Sequence, residues 1–226
     1  MSLDPAAALD ERARERLRTV LDLLAEERAS VSSVVDRRAW QVHVVDSLTG
    51  LEVPELRAAE RIADIGSGAG FPGLVLAVAL PDARVDLIES VGRKCEFIRR
   101  AAAEAGIRNA TVRNLRSEEW AAGEGREAYD AVTARAVGRL STLAELASPL
   151  LGTNGVLVAW KGRRDADEER RLANASGDLA MAAEAVLDVG NRAGSEHRHL
   201  HVVRKTGPTP GNLPRRPGMA KKRPRG

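Results

Sequence analysis

The segment DIGSGAGFPG occupies residues 64–73 of this 226-residue chain. It follows a short apolar run and opens a stretch with helical spacing, so it is a turn between a strand and a helix. Gly66, Gly68 and Gly70 let the backbone turn sharply and come close to a ligand without a Cβ clash. The first turn of the helix adds free N–H groups and a partial positive charge. The segment therefore predicts a nucleotide-like ligand at the first turn of an open α/β sheet.

The spacing of these glycines distinguishes between the known nucleotide-binding turns. The dinucleotide fingerprint needs glycine at its sixth position, which Phe71 occupies here, and the segment lacks the Gly-Lys-Ser/Thr of a P-loop. Glu89 ends the next predicted strand, where a carboxylate can accept both hydroxyls of a ribose. With Asp64, this pattern indicates a Rossmann-like methyltransferase that uses S-adenosylmethionine. The alternatives are a turn without a ligand and, for Glu89, a solvated strand end.

Short apolar runs alternate with amphipathic stretches on both sides of this segment. The alternation predicts an α/β fold with a mainly parallel, seven-stranded sheet and helices on both faces. Strands are expected at 61–65, 84–89, 111–115, 128–133, 155–161, 183–189 and 199–205, and helices at 72–80, 92–105, 140–150 and 163–176. Helices at 5–29, with Asp4 as N-cap, and at 36–48 precede them. The predicted units are an N-terminal helical extension (1–55), a methyltransferase domain (56–205) and a basic tail (206–226).

Charge is divided unevenly along the chain. Residues 1–203 contain 27 basic and 32 acidic side chains, whereas 204–226 contain eight basic and no acidic ones. This basic end indicates a polyanionic partner, although a solvated, disordered tail is the alternative. Five prolines and four glycines after Lys205 predict that the tail has no helix and is flexible until a partner orders it.

Several classes of protein are excluded. No segment approaches the ~20 apolar residues of a membrane span, and the N-terminus has no secretory signal pattern. The single cysteine, Cys95, forms no internal disulfide, which fits a reducing, cytoplasmic location. His197, His199 and His201 alternate without supporting ligands, so no metal site is expected. A monomer is expected.

Residues 64–112 resemble the bacterial small-subunit rRNA guanine-N7 methyltransferase family, also known as glucose-inhibited division protein B. The GxGxGFPG run is the most specific element, and the resemblance extends over about 36–220. Leu213 departs from it, because the family usually has an aromatic residue before this Pro-Arg. Further matching elements are His43, Asp46-Ser47-Leu48, Ser117-Glu118, residues 133–137 around Arg135, Trp160-Lys161-Gly162, residues 197–200 and residues 213–218.

The resemblance implies a set of site residues. Arg135 would grip the methionine carboxylate or a substrate phosphate, and Phe71 would form a hydrophobic wall. The backbone of Ser117 and Glu118 would bond the adenine edge. The predicted cofactor contacts are Gly66, Ser67, Gly68, Gly70, Phe71, Glu89, Ser117, Glu118 and Arg135. The predicted positioning groups are Arg135 and Lys161, and the predicted RNA contacts are His43, Arg215, Arg216, Lys221 and Lys222.

The implied reaction is methyl transfer from S-adenosylmethionine to guanine N7 in the 530 loop of 16S rRNA (guanine 527 in standard rRNA numbering). The partner would be 16S rRNA or the small ribosomal subunit. N7 carries a lone pair and no proton, so no catalytic base is expected and catalysis reduces to placement. A small-molecule methyltransferase and a non-catalytic RNA-binding or ribosome-assembly protein on the same fold remain alternatives.

Overall fold

The computed structural model describes residues 5–27, 38–191, 193 and 197–226. Seven strands form one sheet in the order β3-β2-β1-β4-β5-β7-β6. β1 to β5 run parallel, and β7 lies antiparallel between β5 and β6. The strands are β1 (Arg61–Ile65), β2 (Arg84–Ile88), β3 (Ala110–Arg113), β4 (Tyr129–Arg135), β5 (Leu151–Lys161), β6 (Met181–Asp188) and β7 (His199–Lys205). The predicted fold class is confirmed.

Helices cover both faces of this sheet. The α-helices are α1 (Glu11–Glu26), α2 (Asp46–Leu48), α3 (Pro54–Arg57), α4 (Gly73–Ala79), α5 (Gly92–Glu104), α6 (Ser117–Ala121), α7 (Leu140–Ala147), α8 (Ala166–Leu179) and α9 (Met219–Lys222). Shorter 3-10 turns span Pro5–Ala8 and Thr49–Glu52, and Trp40–Val45 is a π-helix. Among the described residues, no helix has the length and apolar character that a membrane crossing requires.

The hydrophobic core has one part on each face of the sheet. β1 and β2 are buried on both sides after their first residue, and each carries one aspartate, Asp64 or Asp86, among apolar residues. One part packs α1, α4 and α5 against the sheet, and the other packs α7 and α8. Leu17 and Val20 of α1 belong to the same cluster as Leu74 and Phe97. The helical extension thus shares its core with the sheet, and the proposed boundary at residue 55 stays a prediction.

The N-terminal helices differ from the sequence prediction in their bounds. α1 begins after Asp10, whose Oδ1 accepts the N–H of Ala13 at 2.7 Å, and a separate 3-10 turn precedes it. The predicted cap Asp4 and the predicted helical residues 28, 29, 36 and 37 lie outside the described residues. Asp10 begins the helix because its side chain satisfies an N–H of the first turn.

The tail (206–226) is where the structure contradicts the sequence prediction. It folds back onto the body of the protein and contains the short helix α9, although no helix and a flexible chain were expected. Leu213 is buried in the core beside α7, and Arg126 donates to its carbonyl at 3.2 Å. Proline and glycine content limits the length of the helix, but it does not prevent a segment from packing against side chains contributed by distant parts of the chain.

Candidate functional site

A cavity of about 470 Å³ lies at the carboxyl ends of β1 and β2, beside the glycine turn. This is the edge of an open α/β sheet at which ligands bind, and the volume is in the range of small-molecule sites. The predicted site residues that line it are Gly66, Glu89, Ser117, Glu118, Lys221 and Lys222. Apolar walls come mainly from Ile65, Ile88, Leu115, Val137 and Leu146. The cavity therefore combines apolar walls with polar and charged side chains, a mixture that suits the base and the hydroxyls of a nucleoside.

The glycine turn borders this cavity through Gly66, whereas Gly68 and Gly70 are not among the residues that line it. Gly66, Gly68 and Gly70 have φ of +65°, +60° and +90°, a region that side chains other than glycine rarely adopt. A Cβ on Gly66 would lie 2.8 Å from Val137 on the opposite wall. Ser67 is buried and donates to the carbonyl of Asp64 at 2.8 Å, so it holds the turn rather than lining the cavity.

Glu89 connects the glycine turn to the end of β2. Its carboxylate accepts the N–H of Gly68 at 3.0 Å and the N–H of Val91 at 2.9 Å. Each oxygen accepts one of these bonds and keeps a second acceptor position. Glu89 is therefore fixed in place and still able to accept two hydroxyl groups from a ligand.

Asp64 holds the turn to the neighbouring strand. Its carboxylate accepts the hydroxyl of Thr133 on β4 at 2.9 Å and the N–H of Gly73 at 3.2 Å. Burial raises the pKa of Asp64 to about 6, and the bonds from Thr133, Ser67 and Gly73 only partly oppose that rise. Asp64 is therefore a structural carboxyl beneath the cavity, and it titrates close to neutral pH.

Asp64→Asn should flatten the dependence of stability on pH. The folded state binds this proton more tightly than the unfolded state, whose pKa is near the ordinary 3.8. The stabilisation from Asp64 is therefore complete below that value and is lost as the pH rises through about 6. Urea unfolding should show that wild type loses roughly 1 kcal/mol from this group between about pH 5 and 7.

The matched control for this change is Asp82→Asn. Asp82 is exposed and lies outside the glycine turn, so its variant should keep the wild-type slope between the two pH values. An Asp64→Asn protein with the same slope as wild type would refute protonation of Asp64 as the cause.

Ser117 and Glu118 begin α6 on the side of the cavity beyond β3. Glu118 is 9% exposed, and its Oε1 accepts the N–H of Gly218 from the tail at 2.7 Å. The Ser117 hydroxyl lies 3.3 Å from the other oxygen of Glu118. Both residues line the cavity, and the contact of Glu118 with the tail was not predicted from the sequence.

Phe71, Arg135 and His43 lie outside the cavity. The rings of Phe71 and His43 stack at 4.5 Å, and the guanidinium carbon of Arg135 is 5.7 Å from the centre of the Phe71 ring. Arg135 donates to the carbonyl of Val42 at 2.8 Å and to Asp46 at 3.0 Å. Burial lowers the pKa of Arg135, and Asp46 opposes that effect. These residues adjoin the glycine turn from the face of the sheet opposite the cavity.

Asp46 is shared by two arginines. Arg198 Nε lies 2.8 Å from Asp46 Oδ1, but this is an ionic contact without an aligned hydrogen bond, and neither atom has a hydrogen-bond partner among the described residues. Asp46 is 1% exposed, so one buried carboxylate balances two guanidinium groups. Asp46 and Arg198 belong to the elements that carry the family resemblance, but neither was predicted as a site residue.

Lys161 and Arg135 do not converge, although both end neighbouring strands. Arg135 pairs in register with Trp160, and successive side chains of a strand point to opposite faces, so Lys161 projects away from Arg135. Lys161 donates to the carbonyl of Gly138 at 2.9 Å and to Glu168 at 2.8 Å. Arg135 and Lys161 are therefore held in different surroundings, and the positioning role of each stays a prediction.

The predicted RNA contacts of the tail fall into two groups. Arg215 is engaged by Glu145 of α7 through two bonds of 2.5 and 2.6 Å, which raise its pKa further. Arg216, Lys221 and Lys222 are exposed. Sequence reasoning missed Glu145, since nothing in an amphipathic helix marks which acidic residue faces a distant arginine.

The alternating histidines behave as structural residues. His199 lies within 2.9 Å of the Gly162 carbonyl through Nδ1, and burial lowers the pKa of His201. No group of three or more potential metal-binding side chains occurs within the described part of the chain. Cys95 is fully buried on α5, which places it in the core.

Comparison with known proteins identifies relatives over most of the chain. The sequence model of a family described as rRNA small subunit methyltransferase G matches residues 16–200. Ribosomal RNA small subunit methyltransferase G of Rubrobacter xylanophilus is 43% identical over 80% of this chain and 71% of its own length. The protein of the same name from Sorangium cellulosum is 42% identical over 86% of this chain and 80% of its own length.

Solved structures agree on the fold. A SAM dependent methyltransferase from Aquifex aeolicus superposes with a TM-score of 0.54, at 18% identity, over 76% of this chain and 94% of that one. At this identity the match concerns architecture alone. The sequence relatives go further, and they confirm the resemblance seen in the glycine turn and its flanking motifs: the chain belongs to the rRNA small subunit methyltransferase G family.

Proposed function

We propose that this protein transfers the methyl group of S-adenosylmethionine to guanine N7 in the 530 loop of 16S rRNA, at guanine 527 in standard rRNA numbering. The observation that carries the proposal is the cavity at the ends of β1 and β2, where Glu89 is aligned by the N–H groups of Gly68 and Val91. Membership of the family supplies the class of substrate.

The residues of the cavity fit the cofactor in size and chemistry. Glu89 is placed to accept the two ribose hydroxyls, and Ile88 and Leu115 provide apolar surface for adenine. The backbone of Ser117 and Glu118 would bond the adenine edge. The methionine end of the cofactor would extend from the cavity past Gly66 and Gly68 towards Arg135 and Phe71, which lie outside the cavity. The guanidinium of Arg135 there suits a methionine carboxylate.

The chemistry requires placement more than proton transfer. The bound cofactor supplies an electrophilic methyl group, and guanine N7 already has a lone pair to attack it. The chain must therefore hold the base in line and exclude competing geometries, which proximity can achieve. Asp46, Arg135 and Arg198 form an ion-paired cluster beside the glycine turn, centred on the buried Asp46, and would fix the substrate side of the site.

Binding of RNA would come from exposed cations near the cavity. Arg216, Lys221 and Lys222 of the tail are exposed, and the two lysines lie at the cavity wall. Contacts of this kind with phosphates make affinity fall steeply as salt rises. We further propose 16S rRNA or the small subunit as the partner, a monomeric protein and a cytoplasmic location. Sedimentation of the purified chain tests the monomer.

The decisive experiment is methyl transfer from labelled S-adenosylmethionine to naked small-subunit rRNA, to intact small subunits and to DNA, followed by mapping of the modified base. We expect label on RNA at a single guanine, with the methyl group on N7. Label on small metabolites alone would instead establish a small-molecule methyltransferase. RNA binding without cofactor affinity would establish a non-catalytic assembly protein. Either result would overturn the proposal.

A further inference from the structure

One wall of the cavity is supplied by the end of the chain. We call residues 213–225 the C-terminal strap. Gly218, Ala220, Lys221 and Lys222 of the strap line the cavity opposite the glycine turn. The N–H of Gly218 donates to Glu118 at 2.7 Å, and the carbonyl of Ala220 accepts the hydroxyl of Thr142 at 3.4 Å. Any ligand that fills this cavity therefore contacts the strap.

The strap is held by residues that do not touch the cavity. Arg215 makes two bonds of 2.5 and 2.6 Å to Glu145, a residue of α7 that is 3% exposed. Near the other end of the strap, Arg225 lies 3.3 Å from Asp178 on α8 and 3.9 Å from Glu145. Leu213 inserts into the core beside α7. The helix itself has only four residues, so these anchors rather than helix stability fix its position.

We propose that the C-terminal strap is a component of the cofactor site and that the Arg215–Glu145 pair holds it closed over the nucleoside end of S-adenosylmethionine. This inference rests on the proposed function. This proposal implies two states of the strap, one closed against Glu118 and one released from it. A ligand that contacts Gly218 and Ala220 favours the closed state. Loss of the anchor lowers the closed fraction, and the apparent affinity falls by the same factor.

The basic residues of the strap have two different roles. Arg215 and Arg225 point into the body and are paired with carboxylates, whereas Arg216, Lys221 and Lys222 face solvent. The charge that distinguishes the end of the sequence is thus partly an anchor for the cofactor site. The exposed remainder is available to phosphates.

The test is the affinity of the full chain for S-adenosylhomocysteine, measured by isothermal titration calorimetry without RNA. Arg215→Gln should weaken binding about tenfold, and so should Glu145→Gln, which keeps the shape of that side chain. Arg223→Gln removes the same charge from the same segment, and the Arg223 side chain is exposed without an ion pair in the described ranges. It should bind as wild type does. Equal affinity in all four proteins would overturn the inference.

A second measurement needs no variant. S-adenosylhomocysteine should slow backbone hydrogen exchange within 213–222 of the wild-type protein. Exchange there that is unchanged when ligand fills the site would overturn the role of the strap while leaving the proposed function intact. A wild-type chain that binds no S-adenosylhomocysteine would instead overturn the proposed function, and the inference with it.

Discussion

Gly68→Asp should abolish cofactor binding while leaving the protein folded. Gly68 has φ of +60°, which aspartate tolerates better than most residues, and the nearest atom to an added Cβ is the Gly66 carbonyl at 3.9 Å. The fold therefore accommodates the side chain. Its carboxylate, however, would lie beside Glu89, which already accepts the Gly68 N–H at 3.0 Å. A second negative charge there opposes Glu89 and occupies the path of the ligand.

We expect affinity for S-adenosylhomocysteine to fall at least about a hundredfold, or roughly 2.7 kcal/mol, with methyl transfer lost in parallel. Calorimetry measures the first effect, and circular dichroism confirms that the protein is folded. Gly106→Asp is the matched control, because Gly106 has φ of +66°, nothing within 4 Å of an added Cβ, and no place in the cavity. Binding by Gly68→Asp equal to that of the control would refute the placement of the site.

The choice of Gly68 over its neighbour follows from the geometry. At Gly66 an added Cβ would lie 2.8 Å from Val137, so even alanine would disturb the cavity wall. A loss of binding in that variant would not distinguish a blocked ligand from a damaged turn. A substitution at Gly68 distinguishes a blocked ligand from a damaged turn, because the added side chain meets open space.

The fold followed from the sequence because its signals are local. The glycine turn marks the first strand and helix, and the alternation after it marks the parallel sheet. Two apolar runs near the end of the chain were expected to be strands, and they appear as the antiparallel pair β6 and β7. Most bounds shifted by a few residues, since caps such as Asp10 and Asp165 fix helix starts through side-chain bonds, and the short helices α3, α6 and α9 were not predicted.

The site was only partly predictable, because its remaining features depend on contacts between distant segments. Glu89 and Gly66 meet at the cavity, as a strand–turn–helix motif requires. Arg135 bonds to Asp46, which lies 89 positions away in the sequence. Arg215 bonds to Glu145, which lies 70 positions away. No local spacing encodes such pairs. The content of proline, glycine and charge therefore predicted a flexible tail. In the structure, Glu145 of α7 and Asp178 of α8 bind the arginines of the tail and hold it in place.

The buried carboxylate of Asp46 gives the second large effect. Asp46→Asn should destabilise the protein by about 3 kcal/mol, in the range for breaking a buried ion pair. An asparagine carbonyl can accept from Arg135 or from Arg198, while its amide group would face the other guanidinium. The side chains of Arg135 and Arg198, which are 12% and 24% exposed, would then lack this counter-charge, and the positive charge of Arg198 already adds to the effect of burial in lowering the pKa of Arg135. Urea unfolding at neutral pH measures the loss.

Two comparisons separate this charge effect from a general loss of packing. Asp167→Asn removes a carboxylate that is 71% exposed, and it should change stability by no more than about 0.5 kcal/mol. Combining Asp46→Asn with Arg198→Met removes one of the two uncompensated cations, so the double variant should be more stable than Asp46→Asn alone. If the losses of unfolding free energy caused by the two substitutions simply added, Asp46 would not act by balancing the charge of the arginines. Restored stability would show that charge balance holds the cluster of Asp46, Arg135 and Arg198 together.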